Sequence, residues 1–373
     1  MRLFIVSILA FAFTFADDFY EGDSLVREGV YAFYNYDFEK AVEILTNARK
    51  KFPDHPGVHL IWAASRWVKA QSSLSIEETQ TILDNDLKEI GSVYSDLVLK
   101  YPYDPTYLLY QGSSIGLKAR VTLGRKQWLR TLFHAYKGFV IIDDVAEKYP
   151  EIIDAKLPIG IIEYYAGISN SILKWAIKLY GLKASKESGL EKINLAADRS
   201  NWSWIEAKSI LSNVYLWVED EPILAFVHSR DLVNNFPNNF YFNLLYLEAS
   251  IRTNNLNISE EILENAENIL SKLTPRQKEW YEPYLSYEKA LYFFYKNDYK
   301  NALNLVSKTI KDYAAELDIV LGNAYLLQGM CYDKLDKRGK AKESYYLCVD
   351  LENFSDAIIK SRLYLKQPYE GLE

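Results

Sequence analysis

Cysteine, methionine and histidine are scarce: two, two and four among 373 residues. Cys331 and Cys348 permit one disulfide at most. Of the histidines, only His55 and His59 have a metal-like i, i+4 spacing. No HExxH pattern accompanies them, and Pro56 places His55 at or before a helix start. His134 stands alone, and His228 sits in an "HSRD" that lacks a catalytic-loop context. No glycine-rich loop leads into Gly-Lys-Ser/Thr, since "GSSIG" (112–116) is surrounded by helix formers. A serine-centred nucleophile elbow is also missing. These lacks argue against an enzyme, so no catalytic residue, metal or cofactor is expected. Positive charge is not in excess either: 43 Lys and Arg face 50 Asp and Glu, a formal charge of −7. That balance argues against general nucleic-acid binding. After residue 16 no apolar stretch is long enough to cross a bilayer.

What is present begins with "MRLFIVSILAFAFTFA". One Arg, a dozen apolar residues, and small Thr14 and Ala16 before Asp17 read as a secretory signal peptide over 1–16. Cleavage would leave 17–373 with a charge of −8, because the segment carries one Arg and no acid. An uncleaved anchor is the alternative; no Cys marks a lipid attachment point. The expected location is periplasmic or extracellular.

The rest of the chain repeats itself. "YNYDFEKAVEIL" (34–45) recurs as "YKNDYKNALNLV" (295–306). From Gly29, offsets of 12, 19 and 24 residues reach Ala41, Ala48 and Pro53. Similar offsets join Gly329 to Ala341 and Cys348, Ala290 to Ala302, and Asn213 to Ala225 and Pro237. Small residues at this spacing let two antiparallel helices approach closely, small side chain against small side chain. If Gly329 faces Ala341, Cys348 falls opposite about residue 322. That puts it roughly 13 Å along the helix from Cys331, beyond disulfide reach. Both cysteines are therefore expected as small buried apolar groups, unbridged.

Aromatic-Pro pairs at 52–53, 101–102, 149–150 and 236–237 mark helix ends. Ser75 with Glu78, and Thr274 with Gln277 behind Pro275, form capping boxes. "FVIIDDV" (139–145) looks strand-like alone but keeps helical spacing. About fifteen or sixteen helices in seven or eight antiparallel pairs are expected, an all-α solenoid. A softer joint is expected near 253–259, and a solvating helix at the C-terminal end.

The pattern resembles the tetratricopeptide repeat, best at 22–55 and 321–353, and less closely at 283–316 and 206–239. The usual early Trp of the first helix is missing at all four places. The resemblance implies a right-handed superhelix with a concave peptide-binding surface. The block 150–245 is more faintly similar to exported bacterial repeat proteins and the inclusion-body-clearance family. Both resemblances imply a scaffold or adaptor.

Two groups are candidates for binding. Lys126, Arg130, His134 and Lys137 line one helix face, opposite Trp128, Leu132, Ala135, Tyr136 and Phe139. In the resembled family such cations can clamp acidic peptide groups; on an outer helix they form a solvated face. Thirty tyrosines suit half-buried seams or a binding surface. Tyr107, Tyr110, Tyr164 and Tyr246, with Asn243, are the candidates for a concave groove. Trp202 and Trp204 belong at a helix start. The sequence thus reads as an exported, non-catalytic scaffold for a protein or peptide. The alternative is a small-molecule or glycan receptor with a Tyr-rich pocket.

Overall fold

A computed structural model describes residues 19–125, 127–169, 184–313 and 318–371. Residues 1–16 and Lys126 lie outside them. Among the described residues there are seventeen α-helices, one 3-10 turn (Ile153–Ala155) and no strand.

Sixteen of the helices form eight hairpins. They are α1 (Asp23–Tyr34) with α2 (Phe38–Lys51), α3 (Val58–Gln71) with α4 (Ile76–Lys100), and α5 (Pro105–Gly124) with α6 (Trp128–Lys148). Then come α7 (Lys156–Ile168) with α8 (Lys186–Arg199), α9 (Trp204–Trp217) with α10 (Pro222–Asn235), and α11 (Phe240–Arg252) with α12 (Leu256–Lys272). The last are α13 (Pro275–Tyr295) with α14 (Tyr299–Asp312), and α15 (Ile319–Lys334) with α16 (Arg338–Val349). A single helix, α17 (Asp356–Lys366), caps the end. First helices touch the first helices of neighbouring hairpins, α1 to α3 to α5 and α9 through α11 and α13 to α15. They make the inner wall, and second helices such as α6 lie outside.

Local chemistry sets the boundaries. Ser75 with Glu78 and Thr274 with Gln277 are complete capping boxes, and Pro275 opens α13. Phe52, Tyr101, Tyr149 and Phe236 each cap a second helix with ψ between 61° and 69°. The proline that follows bars the helical region to the residue before it. "FVIIDDV" lies wholly within α6. Between the two helices of five hairpins one non-glycine residue is left-handed: Tyr36, Asp220, Asn254, Asn297 and Asp336, with φ of 57–64°. In four of these turns the amide after the left-handed residue reaches back five residues, as Asp37 does to the Ala32 carbonyl at 3.0 Å, closing a Schellman-type end. Asn and Asp tolerate this region; Tyr36 is held there at a cost of about 1–2 kcal/mol.

The small-against-small reading needs correction where it was drawn. A Cβ on Gly29 would lie 2.6 Å from Leu45, and one on Gly329 would lie 2.3 Å from the Tyr345 ring. Each glycine makes room for a large side chain four residues beyond Ala41 or Ala341. Helical side chains lean towards their own N-terminus, so a spot on the facing helix is covered by a residue further along. The alanines Ala41, Ala48, Ala225, Ala290, Ala302 and Ala341 are fully buried in their own right. Backbone-to-glycine contact does occur, but in hairpins the repeat pattern missed. Gly138 meets Gly112 and Gly116 between α5 and α6, and Gly189 meets Gly160 and Tyr164 between α7 and α8. Cys331 and Cys348 are buried free thiols, pushed by burial to pKa values of about 12 and about 11.

Candidate functional site

The solenoid closes on itself. Its first hairpin packs not only on α3 but on helices some two hundred residues later. Tyr34 Oη donates to Glu206 Oε1 at 2.5 Å, and Asn239 Nδ2 donates to the Tyr34 carbonyl at 2.8 Å. The hydroxyls of Tyr36 and Tyr281 meet at 2.8 Å. The Tyr34 ring stacks on Phe242 with centroids 6.1 Å apart, and the Arg27 guanidinium lies 4.2 Å from the Trp202 ring centroid. Thr274 Oγ1 donates to the Ser72 carbonyl, joining α3 to the start of α13. From the other end, Lys360 of α17 pairs with Asp220 at 2.6 Å.

This closure frames a half-open chamber of about 240 Å³. The first hairpin supplies Phe33, Tyr34, Tyr36 and Phe38; α3 contributes Val68 and Gln71. Across from them stand Glu206 and Ser209 of α9, and Tyr241 and Phe242 of α11. Gln277, Trp280 and Tyr281 of α13 complete the wall with Ser72 and Asn239. First helices supply most of these positions because their inward residues are not covered by the second helices outside.

Glu206 sits in the first turn of α9, where the helix dipole favours an acid. Its side chain is exposed, and its carboxyl opens into the chamber. Neighbouring protein displaces part of its hydration and raises its pKa from the ordinary value, and the Tyr34 hydrogen bond pulls the other way. Among the described residues no Lys or Arg forms an ion pair with it. Burial also drives the phenols of Tyr34, Tyr36, Tyr241 and Tyr281 above their ordinary range.

Tyr36 is the telling member. Its left-handed backbone is strained, and its hydroxyl ties the first hairpin to α13. Tyr36→Asn removes about 1 kcal/mol of backbone cost and a hydrogen bond of similar worth. Global stability by urea denaturation should therefore change by less than about 1 kcal/mol. Hydrogen exchange in the first turns of α13 should nonetheless quicken, because the tether is gone. Unchanged exchange there would mean that Tyr36 does not hold the closure.

The residues singled out from sequence lie elsewhere. Lys126 is outside the described residues. Arg130, His134 and Lys137 lie on the outer helix α6, with Arg130 and Lys137 exposed. Burial lowers the His134 pKa, reinforced by Lys118, Lys137 and Arg130, so these cations do cluster. On the same helix Phe139 is buried, but Ala135 and Tyr136 are exposed. Tyr107 is buried and donates to the Asp54 carbonyl at 2.8 Å. Tyr110 covers Gly57 and stacks on Tyr94. Tyr164 is buried and donates to Glu219 Oε1 at 2.6 Å. Asn243 is buried, donating to the Pro237 carbonyl at 3.0 Å and accepting from Asn265. Tyr246 packs on Phe226. None of these eight lines the chamber.

The paired histidines are structural. His55 Nδ1 accepts the Gly57 and Val58 amides at the start of α3, and its Nε2–H donates to Asp23 Oδ1 at 2.7 Å. His59 Nδ1 accepts from Arg49, and Nε2–H donates to the Pro53 carbonyl. Sequence reasoning missed Tyr34, Tyr36, Glu206, Tyr241, Trp280 and Tyr281. One signal was available: Tyr36 stands in its turn where the sister turn has Asn297.

No protein-family model and no curated protein matches the sequence. Solved structures do match. The structure of the APC/C hetero-tetramer Cut9-Hcn1 superposes at 12% identity with a TM-score of 0.53. It spans 93% of this chain and 55% of the matched one, so this protein corresponds to about half of that chain's length. The quorum sensor NprR of B. thuringiensis matches at 14% identity, over 88% and 98% of the two chains, with a TM-score of 0.41. A tetratricopeptide repeat protein from Parabacteroides merdae matches at 12% identity, over 92% and 97%, with a TM-score of 0.31. Eight stacked hairpins, inner first helices and the Cut9-Hcn1 superposition give this chain the fold of a tetratricopeptide-repeat solenoid.

Proposed function

We propose that this chain is a non-catalytic scaffold that binds a protein or peptide partner at the inner face of its solenoid, in the cell envelope or outside the cell. The observation that carries the reading is the chamber: aromatic and hydrogen-bonding side chains from five hairpins converge on an accessible inner wall. Most of the rest of that wall is used for packing. The histidines are engaged structurally, His55 and His59 in caps and His228 stacked on Tyr215. Cut9, which shares the fold, was solved in a hetero-tetramer with Hcn1. The apolar first sixteen residues support export, and no helix among the described residues is long and apolar enough to cross a membrane.

A small-molecule or glycan receptor is the second reading, and the same chamber favours it. Size favours the first. At about 240 Å³ the chamber falls below the roughly 300–1,000 Å³ of drug-sized ligand sites, and suits one side chain of a longer partner.

The test is photo-crosslinked capture from envelope extracts. Wild-type protein should capture a discrete polypeptide, and Trp280→Ala should lose it with its helical circular dichroism intact. Tyr103→Ala, at an outer position 96% exposed, should behave as wild type. Capture that survives Trp280→Ala, or no capture by the wild type, would overturn the assignment.

A further inference from the structure

We propose that the chamber is a cation site. It receives a positively charged nitrogen, the ammonium or guanidinium of a Lys or Arg side chain on the partner, between the Glu206 carboxylate and the aromatic walls. The proposal deepens the scaffold reading by giving the partner a charge, and its chemistry is the reverse of a basic clamp for acidic peptides.

Composition of the wall is the first argument. Of fifteen lining residues eight are aromatic, one is charged, and that one is Glu206; no lining residue is Lys or Arg. Ring faces carry negative electrostatic potential, so a cation among them gains roughly 0.5–2 kcal/mol, most where water is excluded. An anion would meet the same faces and a carboxylate, both repulsive.

Glu206 supplies the second argument. Among the described residues its one side-chain hydrogen bond is from Tyr34 Oη at 2.5 Å, and a carboxylate has acceptor capacity for more. Three other carboxylates at or beside the inner helices have cations: Glu163 has Lys192, Glu219 has Lys186, and Glu248 has Arg252. Glu206 is exposed at the chamber, so its free acceptor positions stand open to a cation from outside. An apolar ligand would only displace water from Glu206. A cation satisfies carboxylate and rings together.

Third, this chain already joins cations to aromatic faces. Arg49 and Arg66 lie 4.1 Å and 4.9 Å from the Trp62 centroid. Arg276 lies 4.9 Å from the centroid of Trp280 itself, though Arg276 does not line the chamber. A chamber ring thus accepts a guanidinium from this chain itself.

Isothermal titration of the full chain with matched probes tests the proposal. One pair is Nα-acetyl-lysine methylamide and its neutral norleucine counterpart. The other is choline and 3,3-dimethyl-1-butanol, which has the same shape without the charge. Each charged member should bind at least about tenfold tighter than its neutral partner, a ratio within reach of one desolvated cation–π contact plus a carboxylate. Glu206→Gln keeps the shape and should weaken the charged members about tenfold while leaving the neutral ones unchanged. Equal binding of charged and neutral members would overturn the proposal, as would no binding of charged probes at millimolar concentration. The two readings fail separately. Binding of the charged probes without polypeptide capture would sink the scaffold and keep the cation site. Capture undiminished by Glu206→Gln, with no probe binding, would do the reverse. If choline binds and the lysine derivative does not, a free ammonium compound is the ligand and the side-chain assignment falls.

Discussion

Replacing Gly189 by alanine should destabilise the protein by about 3 kcal/mol or more, whereas the same change at Gly91 should stabilise it by up to about 1 kcal/mol. Both glycines lie within helices, so intrinsic propensity favours alanine at each. The difference is what the added methyl meets. At Gly189 it would lie 2.4 Å from the Tyr164 amide nitrogen and 2.7 Å from the Gly160 carbonyl oxygen. Those are backbone atoms and cannot rotate aside. α7 and α8 would have to separate, and Tyr164, fully buried with its hydroxyl on Glu219, would be pulled with them. At Gly91, in the middle of α4, no atom lies within 4 Å of the new methyl. Urea denaturation midpoints of the two variants should move in opposite directions. Movement the same way would mean that α7 and α8 are not in backbone contact.

A second large effect concerns Glu248 and Glu288, both fully buried, on α11 and α13. Glu248 accepts from Trp217 Nε1 at 2.8 Å and pairs with Arg252 at 3.4 Å. Arg252 continues to Asp220, and Asp220 to Lys360 of the cap helix. Among the described residues no Lys or Arg forms an ion pair with Glu288. Burial drives its pKa well above the carboxylate range and the nearby Glu248 charge adds to this, so Glu288 holds its proton. Glu248 is also raised by burial, against the pull of Arg252 and Trp217.

The pH dependence follows. The folded state holds the Glu288 proton above pH 4.5, where the unfolded chain has released it. The stabilisation is complete below the unfolded pKa and is lost as pH rises through the folded one. Glu288→Gln supplies a donor that cannot ionise. The variant should therefore gain on the wild type by up to about 1.4 kcal/mol per pH unit above pH 4.5, until Glu288 itself ionises. Glu248→Ala takes the acceptor from the Trp217 indole and leaves Asp220 as the carboxylate paired with Arg252, and should cost about 3 kcal/mol at all these pH values. Parallel wild-type and Glu288→Gln stability curves from pH 5 to 8 would disprove the proton assignment.

Helix ends and hairpins were legible in the sequence because their causes are local. Ser75 finds Glu78 three residues on, and Pro53 acts on Phe52 directly. The repeat offsets located the hairpins but misjudged their contacts, because Gly29 and Gly329 admit Leu45 and Tyr345 from one turn further. The chamber was hardly legible. Tyr34 meets Glu206 and Tyr36 meets Tyr281 only because the curvature of many hairpins brings them together, and no residue spacing records curvature. The tyrosines chosen from sequence, among them Tyr107 and Tyr164, are instead committed to buried hydrogen bonds. What could have been noticed is Tyr36 at a left-handed turn position where Asn254 and Asn297 are at ease. A residue kept where its backbone is uncomfortable has business elsewhere.

Open repeat arrays can gain or lose units and still fold, since each unit touches only its neighbours. Here Tyr36 reaches Tyr281 near one end and Lys360 reaches Asp220 near the other. Adding or deleting one hairpin between those anchors would swing each pair out of reach. The count of units is thereby locked, as links are in a clasped bracelet, and the molecule should melt in one step rather than fray from its ends.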